Sequence, residues 1–262
     1  KEELSKIKEA EDLVLNERKK RIKPFFDNKV QTDLNCYWLY TNLYSSLILD
    51  DKELFLTTTK SINLLSNKLN SNIFHCYNKE KNEIDVFLED YVYFSLLLIG
   101  LYEINNDKNS LNRCLELMEE TWKLFFNKQN NLLQKNIINS NDLFVNPIDI
   151  SDNNIPNGNS FYLFICNKLH NVTNDKTWNE KIDILSKSFH TYINYNFSQM
   201  FSYLKILDIC EENITLTFHG EVGAFENIKN EILKKFMGNI SIIYKENKNE
   251  FFAILCKNQT CS

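Results

Sequence analysis

Glycine and proline are almost missing from this chain, at five and three residues in 262. That scarcity excludes the long flexible or proline-rich linkers that tether loosely coupled domains. The length allows one large domain, or one domain with a small companion. Also lacking is any run of about eighteen apolar residues, so no membrane helix is expected. Tyr91 to Leu101 is the longest apolar stretch, and it follows two acids. No basic excess exists: the net charge of −5 argues against a general nucleic-acid binder. His75, His170, His190 and His219 lack the spacing of a His-Glu-x-x-His site, and no two cysteines are separated by two residues. Neither a metal nor another cofactor is therefore expected. Seven scattered cysteines, mostly inside apolar helical stretches, and no signal-peptide pattern at Lys1-Glu2-Glu3 point to a reducing, cytoplasmic setting.

What is present is helical. Apolar residues make up 43% and charged residues 25%, ordinary for a globular protein. Asparagine is abundant and interleaves with the apolar periodicity, which reads as a codon-composition bias. Glu2 to Arg21 forms a charged helix that stops before Pro24. Apolar-striped segments then come in pairs: Asn35 to Leu49 with Lys52 to Leu69, Asp85 to Ile104 with Ser110 to Phe126, and Asn159 to Val172 with Lys176 to Tyr195. A shorter helix covers Ser198 to Leu207. In each pair the first helix is the more apolar and the second the more amphipathic. Helices covered on both sides alternating with helices covered on one side suit a ring of helical hairpins.

After Cys210 the pattern changes. Ile214 to His219 alternates as a strand, Glu221 to Met237 is helical, and Ile240 to Lys245 and Phe251 to Cys256 return to strand, with a hairpin turn at Lys248-Asn249. The fold class expected is mainly α, a partial (α/α) toroid of helical hairpins with a small C-terminal α/β appendage. The domains are 1–210 and 211–262.

Polar stretches at helix starts are the candidate sites. Asp27 and Lys29, with Asn35 inside the next helix, bring a carboxylate, an ammonium and an amide that can hold a hydroxyl-rich ligand; the same residue types also serve as helix caps. Glu89-Asp90-Tyr91 offers paired acids beside a phenol, and close acids push their pKa values apart, which suits acid–base work. Adjacent helical residues face different ways, so Asp27 is the better partner for one of them. The competing reading is a first-turn acid satisfying the helix dipole. Asp152, followed by Asn157, Gly158, Asn159 and Ser160, offers close backbone approach at Gly158 and side chains that cap a helix or bind a sugar hydroxyl. No His or Gly-x-Ser-x-Gly setting makes Ser160 a nucleophile.

The order and separation of these stretches resemble the C-terminal part of thioredoxin-domain-containing proteins related to spermatogenesis-associated protein 20. In that family the places read Asp-Asp-Lys with Trp-Asn-Gly, then Asp-Asp-Tyr, then Asp-Gly-Ala-x-Pro-Ser-Gly-Asn-Ser, then a Cys-x-Asn-x-Thr-Cys tail. This chain matches at Asp27, Lys29 and Asn35, at Asp90 and Tyr91, at Asp152, Pro156, Gly158, Asn159 and Ser160, and at Cys256, Asn258, Thr260 and Cys261. Among its departures are Asn28, Leu34, Cys36 and Asn157. The resemblance implies a toroid like that of six-hairpin glycosidases and N-acylglucosamine 2-epimerases. Asp27, Glu89, Asp90 and Asp152 would then be catalytic, and Lys29, Asn35, Tyr91, Asn157, Gly158, Asn159 and Ser160 would bind a carbohydrate or polyol. It further implies an upstream thioredoxin-like domain and the other half of the ring as partners. The departures keep a second reading open, a noncatalytic binding or scaffold module that supports the thioredoxin-like domain.

Overall fold

The computed structural model describes residues 2–77, 85–138, 145–220, 226–236, 239–245, 251–258 and 260–261. They belong to two compact units, Lys1–Val30 and Gln31–Ser262. In the first, α1 (Glu2–Lys19) ends on Arg18 and Lys19, cations suited to the negative end of the helix dipole. β1 (Val30–Gln31) carries the chain into the second unit.

That second unit is built from hairpins. They are α2 (Thr32–Ile48) with α3 (Lys52–Leu69), α4 (Leu88–Asn105) with α5 (Lys108–Phe125), and α6 (Gly158–Thr173) with α7 (Lys176–Asn196), and α8 (Phe201–Glu212) follows them. α2, α4, α6 and α8 neighbour one another in that order, while α3, α5 and α7 each cover the helix before them. The sequence dictates this division. Every residue of α4 from Leu88 to Ile104 is buried, so the helix must be apolar on all sides. α5 buries only the stripe Ser110, Cys114, Leu117, Met118, Thr121 and Phe125, and turns its charges outward. Short strands β2 (Cys76–Tyr77), β3 (Phe126–Asn127) and β4 (Leu132–Leu133) lie in the connections.

Asparagine and aspartate punctuate the helices. Asp51, Asp107, Asn157 and Asp175 accept backbone N–H bonds at the starts of α3, α5, α6 and α7. Asn106, Asn174 and Asn213 end α4, α6 and α8 with φ of 52°, 57° and 36°, the left-handed geometry usually given to glycine. The abundance of asparagine thus answers the scarcity of glycine, since Asn tolerates this region better than most residues.

The C-terminal segment forms β5 (Ile214–His219), α9 (Glu226–Phe236), β6 (Ser241–Lys245), β7 (Phe252–Lys257) and β8 (Thr260–Cys261), with strand order β6-β5-β7-β8. β5 pairs parallel with β6 and antiparallel with β7. This corrects the expected hairpin between the last two long strands: β5 lies between them, because the α9 crossover delivers β6 to one side and β7 closes the other. The proposed turn at Lys248-Asn249 lies outside the described residues, as do 221–225 and 237 of the expected helix. Cys256 and Cys261 are joined by a disulfide across β7 and β8, and Cys36, Cys76, Cys114, Cys166 and Cys210 form no disulfide.

A buried polar cluster fastens this sheet to the helices. Lys168 Nζ in α6 donates to Glu103 Oε1 and Oε2 at 2.7 and 3.0 Å and to the Ile240 carbonyl at 2.7 Å. Tyr44 donates to the Glu103 carboxylate at 2.7 Å, and Tyr244 of β6 donates to the Glu103 carbonyl at 2.7 Å. Burial lowers the pKa of Lys168, and the Glu103 carboxylate opposes that shift. No helix among the described residues is long and apolar enough to cross a membrane.

Candidate functional site

The starts of α2, α4 and α6 contribute to one cleft of about 300 Å³, lined by residues that include Asp33, His75, Glu89, Lys135, Asp149 and Asn157. The connections are locked in place around it. Leu88 N donates to the Lys135 carbonyl at 2.9 Å, and Lys135 N donates to the Pro147 carbonyl at 2.8 Å. Asn159 is fully buried and pairs like a strand residue with Leu133: its Oδ1 accepts from Leu133 N at 2.8 Å and its Nδ2 donates to Leu133 O at 2.7 Å. A further bond from Nδ2 reaches the Asp149 carbonyl at 3.1 Å. These bonds hold the 132–136 segment between two helix starts, and so present Lys135 to the cleft.

Glu89 is the most unusual group there. It is 9% exposed, and its Oε2 is buried with no hydrogen-bond partner. Desolvation pushes its carboxyl up to about 7; Asp149 and Asp90 add to this, and Lys135 opposes it. Gly158, the first residue of α6, makes room: a Cβ there would lie 3.1 Å from Glu89 Oε1 and 3.0 Å from Leu88 Cδ2.

Asp90 points another way, as neighbouring helix positions must. Its Oδ2 accepts from Phe87 N at 2.8 Å, closing the first turn of α4, and both oxygens lie 3.1 Å from His75 Nδ1. The bond to Asp90 raises the His75 pKa, with help from Asp33 and Glu89. Burial raises that of Asp90, and His75 and the Phe87 N–H offset part of the shift. Asp33 accepts from Leu34 N at 2.7 Å. Asp33, His75 and Asp90 each bring a ligand-type atom within 4.8 Å of the others.

The remaining expected residues occupy other positions. Asp152 has both oxygens engaged, with Oδ1 accepting from Asn157 N and Nδ2 at 3.1 and 2.9 Å and Oδ2 from Ser202 N at 2.7 Å. It clamps the loop before α6 to the first turn of α8. Asn157 caps α6 through Ser160 N at 2.9 Å. The Ser160 hydroxyl is buried without a partner. Tyr91 turns toward α5, its hydroxyl 3.3 Å from Glu120 Oε1. Asn35 Nδ2 donates to the Gln31 carbonyl at 2.7 Å. Asp27 and Lys29 lie in the first unit, both exposed and paired at 3.2 Å.

His75, Asp33, Lys135 and Asp149 were missed in the sequence. His75 has no informative spacing to Asp90, and only the fold joins them. Asp33, beside Asn35 at a helix start, carried a signal of its own as a first-turn acid.

No family model matches the chain, and no curated protein does. Among solved structures, a glycoside hydrolase family 76 α-mannanase of Bacteroides thetaiotaomicron is similar over 82% of this chain and 57% of its own, with 15% identity and a TM-score of 0.53. The fold is a partial (α/α) toroid. A family 76 mannosidase of the same organism (13% identity, 63% of this chain, 45% of its own, TM-score 0.48) and the cellobiose 2-epimerase of Bacillus thermoamylovorans (14%, 61%, 44%, 0.46) are similar more distantly. The chain spans about half the length of these structures. Within the toroid, the cleft opens at the N-terminal ends of the inner helices.

Proposed function

We propose that the toroid cleft binds a carbohydrate or polyol, and that Glu89 and the His75–Asp90 pair transfer protons there. The observation that carries this reading is Glu89, a buried carboxyl with an unpartnered oxygen opening on a cleft that also holds an imidazole oriented by a second carboxylate. Such a carboxyl is substantially protonated near neutral pH and can serve as a general acid. Asp90 fixes the ring of His75 and makes the neutral ring more basic, which suits it to accept a proton when it is uncharged. Both shifts run upward, so each group holds its proton to higher pH than it would in water. Cleavage at an anomeric oxygen and proton exchange beside a carbonyl both fit this pair; the reaction class proposed is hydrolysis or isomerisation of a sugar. Asp152 and Asn159 serve by positioning the cleft wall, and Asn157 contributes both a cap and part of the lining.

The second reading is a noncatalytic module of a thioredoxin-domain-containing protein, in a cytoplasmic setting. The engaged oxygens of Asp152 favour it, as do Leu34 and Cys36 where the resembling family has Trp and Gly. Thermal shift with a panel of mono- and oligosaccharides separates the two. A ligand that stabilises the wild type by mass action, and whose turnover but not binding is lost in Glu89→Gln, supports the enzyme. Binding with no turnover by either protein supports the module, and no binding overturns the carbohydrate reading.

A further inference from the structure

We propose that Asp33, His75 and Asp90 form a site for a divalent cation of the Zn2+ or Mn2+ kind. Their donor atoms come from three separate elements, the start of α2, the segment entering β2 and the start of α4, yet lie within 4.8 Å of one another. His75 Nδ1 is 3.1 Å from each oxygen of Asp90. Donors about 2.1 Å from a cation and at right angles stand about 3 Å apart, so this spacing suits ligation as well as a hydrogen bond. Two carboxylates and one imidazole favour Mn2+ and Zn2+, because imidazole draws the transition metals and carboxylates the harder ions. The Phe87 N–H bond fixes the Asp90 carboxylate from behind, the kind of outer contact that orients a ligand.

A second observation points to the same place. Glu89 lines the cleft with Asp33 and His75, is 9% exposed, and keeps Oε2 buried without a partner. A buried oxygen without a partner is costly, and water held by a cation in this cleft would offer it a donor. Coordination positions facing the cleft would take water or ligand hydroxyls. The inference concerns the same cleft but does not rest on the carbohydrate reading.

The test uses the full chain, stripped with chelator and titrated by calorimetry with ZnCl2 and with MnCl2, the latter also followed by electron paramagnetic resonance. The expected result is saturable uptake of a single equivalent, weakened about tenfold or more in Asp33→Asn and in His75→Gln. Asp33 makes only a local bond to Leu34 N, so Asp33→Asn is the variant expected to keep the fold, checked by circular dichroism. No saturable uptake by the wild type overturns the proposal, as does unchanged affinity in both variants. A sugar-induced thermal shift that persists in chelator shows that the carbohydrate reading stands or falls separately.

Discussion

Glu89 and Gly158 face each other across the starts of α4 and α6, so close that a methyl group on Gly158 would sit 3.1 Å from the Glu89 carboxylate. Gly158→Ala adds helix propensity at a first-turn position, yet also crowds Leu88 and Glu89. We expect the crowding to win by about 1 kcal/mol, lowering the melting temperature and weakening any ligand-induced shift. An increase in melting temperature would show that Leu88 gives way freely.

Glu89 itself should make stability depend on pH. Its carboxyl is raised from 4.5 to about 7 in the folded chain. The stability this contributes is therefore fully present below the unfolded value and is lost as pH rises through about 7. Glu89→Gln removes the titration, so the variant should gain on the wild type between pH 4.5 and 8 by on the order of 3 kcal/mol. Urea unfolding of both proteins across that range, in chelating buffer, measures the difference. A constant offset would contradict the burial argument.

The Lys168–Glu103 pair gives a third expectation. Lys168→Met strands a buried carboxylate and should cost about 3–5 kcal/mol. Lys168→Met with Glu103→Gln should recover part of that loss, since Tyr44 can still donate to the amide oxygen. Equal stability of the single and double variants would mean that Glu103 finds another partner.

At the helix ends, Asn106→Ala and Asn174→Ala should each cost about 1 kcal/mol, because alanine resists the left-handed backbone. Asn106→Gly should be neutral or stabilising, since it also removes a buried amide oxygen without a partner. Chemical denaturation of the four variants, Asn174→Gly included, ranks them.

Local chemistry made much of the fold legible. Lys52–Leu69 is readable to the residue because Asp51 caps it, and Ile214–His219 because its alternation is strict. α2 begins at Thr32, three residues before the expected Asn35, because Thr32 N bonds to the distant His75 carbonyl. The neighbours of β6 and β7 were not legible: any two strands near in sequence suggest a hairpin, and only packing decides that β5 lies between them. For the site, helix-start logic located Glu89, Asp90 and Asn157. It could not show that Asp90 turns to His75, or that Asp152 spends its oxygens on Asn157 and Ser202, since those partners are set by tertiary contacts.

Asn157-Gly158 is also the sequence most prone to spontaneous deamidation, in which the glycine nitrogen attacks the asparagine side chain through a cyclic imide. Here that side chain is held as a cap by Ser160 N and donates to Asp152 and the Ile150 carbonyl. Folding thereby slows the ageing of this helix start. Were the corner to open long enough, the imide would open to isoaspartate or aspartate, and either would set a second carboxylate against Asp152. The clamp to α8 would loosen, and the fraction of molecules so changed would record how often this corner had come undone.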